Sequence, residues 1–372
     1  MDMTIQREAL LKPLQAVSGI VEKKQTLPIL SNVLLTLKQG VLQLIGTDLE
    51  IELVGLLPIE APYTEGTTTV SARKLFDICR TLPEGCCLRL SLEKNYLVVK
   101  AGDSCFMLNT LPSEDFPSLE SSDYPAQFTI KQYQLKQLLA KTYFAMSQQD
   151  VRHYLNGAFL DISQHAIKCV AADGHRLAMT TFHDDKMNNI EARVILPRKS
   201  VLELIRLLAA DEESEVTIYL NDHRFRTVTN DYTFTSKLIN AQYPDYNRLI
   251  PQGTTVAIGD RETIKQALTR ASILSSEKYR GVRFTFDKGK LQITANNSDR
   301  EQADEAVPLD YTGNKIEIGF NVAYLLDIVS TITEKSIRCI FTGPNEGVLI
   351  EPVESNHPLP LLCRYVVMPM RL

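Results

Sequence analysis

Three stretches of the chain carry apolar residues at the three- and four-residue spacing that places them on one face of a helix. After each stretch come two short β-rich runs separated by a polar turn, which predict a pair of strands. A further strand, a second helix and a short β-meander such as 88–92, 96–101 and 104–109 follow. The apolar helix positions are Leu10, Leu11, Leu14 and Val17; Leu135, Leu138, Leu139 and Met146; and Ile264, Leu268, Ala271 and Leu274. The strand pairs are 33–37 with 41–45, 158–162 with 167–171, and 282–286 with 291–295, and the second helices lie near 73–82, 198–208 and 321–332.

The same order of elements recurs at a long, constant period. Asp48, Asp173 and Asp299 follow equivalent strands and lie 125 and 126 residues apart. A period of this length indicates three copies of one domain rather than a short-repeat solenoid. We predict three α+β domains, each with two helices on one face of antiparallel sheets. The proline-rich joints at 112–125 and 243–253 place their edges at 1–125, 126–253 and 254–372. Three such domains in series form an arc, which closes into a ring if it pairs with itself.

Composition restricts the class of protein. The 372 residues are 44% hydrophobic and 23% charged, which is typical of a globular chain. The N-terminus carries no apolar export segment, and no run reaches membrane-spanning length. Seven cysteines without a C-x-x-C pair indicate reduced, mostly buried thiols in a cytoplasmic protein, with no metal site and no cofactor.

Charge is sorted along the chain, although its net value is only −5. The six predicted helices together carry +8, so the rest of the chain carries −13. On any one helix the lysines read as ordinary solvated residues, but the set favours a basic face that attracts phosphate. Twelve helices from two copies would enclose an opening of nearly 30 Å. A B-form duplex is about 20 Å across and would pass through it with a layer of water.

Two other functions are compatible with parts of the sequence. Asp173-Gly-His175 could supply a carboxylate and a base to a hydrolase, but no Gly-x-Ser-x-Gly elbow, P-loop or His-x-x-x-His spacing accompanies it. Asp-Gly is also an ordinary turn signal after a strand. A three-domain scaffold that binds peptides but never DNA is the second alternative.

Several stretches resemble the bacterial beta sliding clamp family. They include Gln25-Thr-Leu-Pro-Ile-Leu-Ser-Asn32, Asp173-Gly-His-Arg-Leu177 and the ending Tyr365-Val-Val-Met-Pro-Met-Arg-Leu372. The resemblance covers the chain from end to end. It implies a non-catalytic processivity subunit of a DNA polymerase holoenzyme, which forms a head-to-tail homodimeric ring around duplex DNA without reading its sequence. It also implies that the clamp loader, polymerases and repair proteins bind through linear peptides.

The resemblance assigns a pocket for those peptides, in which leucine, valine and methionine would form an adaptable apolar groove rimmed by arginine and histidine. For the methionines of the ending, packing in the core of a last strand is the alternative. The pocket residues that it implies are Arg152, Leu155, Gly174, His175, Arg176, Leu177, Pro244, Arg248, Leu249, Val366, Val367, Met368, Pro369, Met370, Arg371 and Leu372.

The family pattern also implies DNA contacts and a subunit seam. At the seam, Phe106 and Leu108 of one copy are expected to meet Ile273 and Leu274 of the other. Asp103 and Cys105 stand where basic residues could face the acidic segment 301–305, so this seam is expected to depend more on apolar contact than on ion pairs. Ala172 replaces a usual threonine of the pocket, and residues 352–364 are expected to form a long loop before the last strand. The implied DNA-contacting residues are Lys24, Arg73, Arg80, Gln149, Tyr154, Arg198 and Lys199.

Overall fold

The structure is a computed structural model that describes residues 1–21, 27–117, 119, 122–163, 165–184, 190–353 and 361–371. Each repeat contains the same ten elements in the same order, eight strands and two helices. The first repeat comprises β1 (Asp2–Gln6), α1 (Arg7–Ile20), β2 (Asn32–Lys38), β3 (Val41–Thr47), β4 (Ile51–Pro58), β5 (Gly66–Ser71), α2 (Ala72–Thr81), β6 (Cys87–Glu93), β7 (Tyr96–Ala101) and β8 (Ser104–Leu111).

The second and third repeats reproduce this order. The second comprises β9 (Ala126–Lys131), α3 (Gln132–Ala140), β10 (Gly157–Ser163), β11 (Ala166–Ala172), β12 (Arg176–His183), β13 (Ala192–Pro197), α4 (Arg198–Leu207), β14 (Glu215–Leu220), β15 (Arg224–Val228) and β16 (Tyr232–Lys237). The third comprises β17 (Thr255–Asp260), α5 (Arg261–Ile273), β18 (Gly281–Asp287), β19 (Lys290–Asn296), β20 (Gln302–Pro308), β21 (Ile316–Asn321), α6 (Val322–Thr331), β22 (Ser336–Phe341), β23 (Val348–Pro352) and β24 (Leu361–Val367).

Local chemistry explains where the helices begin. The side chains of Ser71, Asp260 and Asn321 accept hydrogen bonds from backbone N–H groups in the first turns of α2, α5 and α6. These groups have no partner within the helix, so each cap removes an unsatisfied donor. The predicted apolar faces are buried at Leu10, Leu14 and Val17 in the first repeat and at equivalent positions in the others.

The strands form three antiparallel sheets, two of which cross a repeat boundary. The twelve-stranded sheet contains all of β1 to β8 and continues from β4 into β16, β15, β14 and β9. The eight-stranded sheet continues from β12 of the second repeat into β24 of the third. The four-stranded sheet, in the order β20-β19-β18-β21, belongs to the third repeat alone.

This sharing of sheets explains why the chain divides into two compact units although it has three repeats. One unit contains residues 1–133 and 202–238, and the other contains residues 134–201 and 239–372. The second repeat gives one of its sheets to each unit. Backbone pairing therefore joins neighbouring repeats within each unit, in addition to the chain that links them.

Four details differ from the sequence expectations. Each repeat begins with a strand (β1, β9 or β17) and has an additional, fifth strand directly before its second helix (β5, β13 or β21), none of which was predicted. The helix expected over 131–147 ends at Ala140, and a short 3₁₀ turn follows at Tyr143–Ala145. The expected loop over 352–364 is too long, because β24 already begins at Leu361; residues 354–360 of that loop lie outside the described residues.

Candidate functional site

A cavity of about 280 Å³ lies in the unit that contains residues 134–201 and 239–372, where β12 pairs with β24. Its wall is mostly apolar and aromatic, with two arginines. Such a cavity suits an apolar ligand that is oriented by a few donors. The residues that line it are Arg152, Tyr154, Leu155, Ala172, Gly174, Arg176, Leu177, Tyr243, Pro244, Tyr246, Leu249, Val366 and Met368.

The structure brings together much of the predicted peptide pocket. Neighbouring residues pair across the joint, with Leu177 opposite Val366, and both line the cavity. Of the other predicted residues, six are not among those that line it, and Leu372 lies outside the described residues. The six are His175, Arg248, Val367, Pro369, Met370 and Arg371.

The chain end lies beside the cavity. β24 ends at Val367, whose side chain is fully buried, and the Met368 N–H donates to the His175 carbonyl over 2.8 Å. Met368 lines the cavity and is 42% exposed, which rules out the alternative of core packing for this methionine. The Met370 N–H donates to the Gly319 carbonyl, so hydrogen bonds hold the segment after the last strand.

Three aromatic residues of the wall escaped the sequence reasoning as pocket residues. Tyr243 stacks on Phe159 with the ring centroids 4.7 Å apart, and Tyr154 packs edge-on to Tyr243. Tyr246 is buried beside them, and burial, with the nearby Asp161 carboxylate, raises its pKa to about 12. Tyr154 had been assigned to DNA contact, and its ring lies in the pocket wall. The signal that could have indicated Tyr243 and Tyr246 as pocket residues was their place in the proline-containing joint after β16.

Arg152 closes one side of the cavity over a glycine. Its guanidinium hydrogen-bonds both carboxylate oxygens of Asp150, and these bonds lower the pKa of Asp150 to about 2. Gly174 has a φ of 89°, and a Cβ at this position would lie 2.9 Å from Arg152 Nη2. Only glycine therefore allows both the turn and the approach of the arginine.

Arg176 does not act as a freely exposed donor at the rim. Its side chain is 10% exposed, and Nε donates to Asp173 over 3.0 Å. The other nitrogens donate to the Asp327 carboxylate and to the Phe144 carbonyl. Arg248, by contrast, is highly exposed and forms a local ion pair with Asp245 over 3.1 Å.

The proposed catalytic pair of Asp173 and His175 is absent as a dyad. Asp173 accepts hydrogen bonds from the backbone N–H groups of His175 and Arg176 and from the Arg176 side chain. The imidazole of His175 stacks instead on Tyr324, with ring centroids 6.0 Å apart. Asp173 therefore stabilises a turn and forms an ion pair with Arg176.

A second, wider groove of about 890 Å³ lies in the unit that contains residues 1–133 and 202–238. Arg73 and Arg80 project from α2 into it, and both are mostly solvent-exposed and share Asp77 at 3.6 and 3.4 Å. Arg206 is held more firmly, by Glu203 and by the Ala16 carbonyl. Long exposed cations on a helix are suited to contact phosphates.

The other residues predicted to contact DNA have different surroundings. Gln149 is exposed with a φ of 57°, whereas Arg198 donates to the carbonyls of Tyr143 and Met146 and is half-buried. Lys199 is also half-buried, and Lys24 lies outside the described residues.

The predicted seam residues lie at a strand edge and a helix end. Phe106 is half-buried in β8, Leu108 is buried, and Ile273 at the end of α5 is 75% exposed. Leu274, half-buried, follows directly.

None of the seven cysteines is in a disulfide, and four of them are buried as expected. Cys86 is half-buried, and Cys87 and Cys105 are exposed, so most but not all of the set is buried. Within the described ranges there is no cluster of three or more His, Cys, Asp or Glu residues that could hold a metal ion. None of the helices in those ranges is long and apolar enough to cross a membrane.

Comparison with known proteins shows which family has this fold. Family models of the DNA polymerase III beta subunit match residues 1–120 (N-terminal domain), 129–245 (central domain) and 247–371 (C-terminal domain). The beta sliding clamps of Pseudomonas putida and Escherichia coli K12 are 46% and 42% identical over 373 residues, and each match covers 100% of both chains.

Solved structures agree. The DNA polymerase III subunit beta of Pseudomonas aeruginosa is 46% identical, with a TM-score of 0.95 over 100% of both chains. A second structure from that organism, bound to griselimycin, is 47% identical, with a TM-score of 0.95 over 100% of both chains. The domain edges predicted at 125/126 and 253/254 stay a prediction.

A three-domain α+β fold that DNA polymerase III beta subunits match over its full length defines a non-catalytic subunit of a DNA polymerase. The chain belongs to the DNA polymerase III beta subunit family, the beta sliding clamps, and is a processivity factor of DNA replication. Its partners are DNA and a DNA polymerase. The hydrolase alternative is therefore wrong, and so is a scaffold that never meets DNA.

Proposed function

We propose that two copies of the chain close head to tail into a ring around duplex DNA in the cytoplasm. The ring slides on DNA and tethers the replicative polymerase, the clamp loader and repair proteins. Each partner inserts a short linear peptide into the 280 Å³ cavity beside β12 and β24. The domain edges at 125/126 and 253/254 are part of this proposal.

The observation that carries the proposal is a strand pairing used twice within the chain. At the first joint β4 pairs with β16, and at the second β12 pairs with β24. In each case the fourth strand of one repeat meets the last strand of the next. The corresponding strands left over are β20, which ends its sheet, and β8, which pairs with β5 only through its last two residues. Open edges of this kind favour pairing with another chain.

The register of the two internal joints agrees. Leu53 lies opposite Phe234, and Ala178 lies opposite Tyr365. Leu53 and Ala178 are each five residues after the repeated aspartate, and the facing residue is aromatic. Five residues after Asp299 is Asp304, and the aromatic residue of β8 is Phe106. The proposed seam therefore pairs Phe106 with Asp304, and Cys105 with Glu305.

The chemistry of the two edges supports an apolar seam. Glu305 is already bound to Arg270 of its own chain, through contacts of 2.7 and 2.6 Å that lower the pKa of Glu305. Asp304 accepts hydrogen bonds from Thr294 and Gln302, which lower its pKa as well. Asp103 and Cys105 offer no cation to either. The half-buried Phe106 and the exposed Ile273 are left to bury apolar surface between copies.

For DNA we propose phosphate contacts that carry no base specificity. Arg73 and Arg80 have the exposure and length for this role. Gln149, Tyr154, Arg198, Lys199 and Lys24 complete the proposed set. Because such contacts read charge rather than bases, they let the ring move along the duplex.

The experiment that tests this function combines solution mass with retention on DNA. We expect the mass of a dimer at micromolar concentration and retention of the loaded protein on nicked circular DNA. Cutting the circle should release the protein, since a ring slides off an end. A monomer, or equal retention on circular and linear DNA, would contradict the ring.

A further inference from the structure

The side chain of Arg176 is only 10% exposed, and contacts hold its guanidinium on several sides. It lies between the rings of Phe144 and Tyr324, 5.1 and 4.5 Å from their centroids. Its nitrogens donate to Asp173, Asp327 and the Phe144 carbonyl. Cation–π contacts and charge-assisted hydrogen bonds together hold a planar guanidinium in one orientation.

The same side chain forms part of the pocket wall. Arg176 is the first residue of β12, and Leu177 and Val366 beside it also line the cavity. The orientation of the guanidinium therefore fixes where the aliphatic part of Arg176 lies. A change in its anchors alters the shape of the wall without touching a ligand.

Two of these anchors, Tyr324 and Asp327, come from α6 of the third repeat. Asp327 occupies the position of Asp77 and Glu203 in the first two repeats, 126 and 124 residues apart in turn. The ion pairs recorded for Asp77 and Glu203 stay on their own helices. The carboxylate of Asp327 reaches instead to a residue of the pocket.

We propose that Asp327 is a positioning residue for the peptide pocket and acts by fixing Arg176 from the third repeat. The third repeat then contributes to the pocket in two ways, through the wall residues Val366 and Met368 and through the carboxylate that holds Arg176. This inference rests on the proposed use of the cavity by linear peptides.

The test measures peptide affinity in the full-length dimer. The probe is a fluorescein-labelled decapeptide with two leucines and a phenylalanine in succession, flanked by polar residues. We expect Asp327→Asn to weaken its binding roughly three- to tenfold, the loss typical of releasing one long side chain at an interface. Asp327→Glu keeps the charge and should recover part of the affinity. Asp310→Asn removes an exposed carboxylate from an isolated bridge beyond β20 in the same repeat and is the matched control.

A double-mutant cycle separates positioning from general stability. In the Arg176→Ala background, Asp327→Asn should cause no further loss of peptide affinity, because the residue through which it acts is gone. A purely structural role would lower the melting temperature and weaken binding in both backgrounds. Equal affinity of the wild-type protein and Asp327→Asn would overturn this inference alone. If the wild-type protein failed to bind the probe, the proposed use of the pocket would fail first, and this inference with it.

Discussion

Arg152 Nη2 lies 2.9 Å from the position that a Cβ on Gly174 would occupy. The glycine also has a positive φ of 89°, which any other residue adopts only with strain. The turn after β11 and the closing side chain of the pocket are therefore matched to each other.

Gly174→Ala should weaken peptide binding, and this loss should not be explained by the small loss of stability that accompanies it. The substitution adds backbone strain of about 1 kcal/mol and also pushes the Arg152 guanidinium away from the cavity. Gly289→Ala is the matched control, because Gly289 has a φ of 74° and no atom near the added Cβ. Both variants should lose similar thermal stability, and only the first should lose binding in a fluorescence anisotropy titration. Equal affinities would show that Arg152 can move without cost.

Glu305→Cys should form a disulfide-linked dimer with the native Cys105 under mild oxidation. Residues directly opposite in an antiparallel pair have Cβ atoms roughly 5 Å apart, close to the reach of a disulfide. Non-reducing gel electrophoresis provides the measurement. Adding Cys105→Ser should abolish the product. A one-residue slip of the register would instead make Asp304→Cys the variant that cross-links.

Thiol labelling should distinguish exposed from buried cysteines and detect the seam. Burial raises the pKa of Cys79, Cys169 and Cys339 to about 12, so these thiols stay protonated and unreactive at about pH 8. Cys87 should react quickly at every protein concentration. Cys105 should react quickly only after dilution has separated the copies. Concentration-independent labelling of Cys105 would count against its place in the seam.

Replacing Arg73 and Arg80 together by glutamine should weaken retention on DNA and flatten its dependence on salt. Each lost phosphate contact reduces the slope of log affinity against log salt by roughly 0.9. The measurement is binding to a duplex across a salt series. Arg89→Gln is the control. It removes an exposed arginine of β6 that is paired with Asp2, and it should leave the slope unchanged.

Deleting 368–372 should abolish stimulation of the polymerase while the protein stays a dimer. The deletion removes Met368 from the pocket but leaves β24, which ends at Val367, paired with β12. A primer-extension assay together with the solution mass checks both halves of the prediction. Loss of the dimer would mean that the chain end stabilises the contact between copies as well as the pocket.

Local periodicity was sufficient to predict the six helices and the hairpins of the described chain, because each is encoded by neighbouring residues. The first strand of every repeat escaped, since five or six residues before a helix carry little pattern of their own. The continuation of a sheet from β12 into β24 also escaped, because its partners lie nearly two hundred residues apart in sequence. Pairing over such distances leaves no local signal.

The lack of a local sequence signal for distant contacts also limited the prediction of the pocket. Its apolar residues around Leu177 and Val366 followed from the resemblance and were found together. Arg176 was expected as a rim donor, and one of the residues that hold it is Asp327, 151 residues away. Tyr243 and Tyr246 lie in a joint that the sequence marks as a loop, where aromatic residues have no predictable face.

Every repeat has both of the strands that form a joint between repeats, its fourth strand and its last strand. A free-standing repeat would thus polymerise with copies of itself. In the proposed ring, fusing three repeats in one polypeptide makes two of those contacts permanent, and only the contact between copies depends on protein concentration. Opening of the proposed ring would then be confined to the contacts between copies, which need no separate hinge.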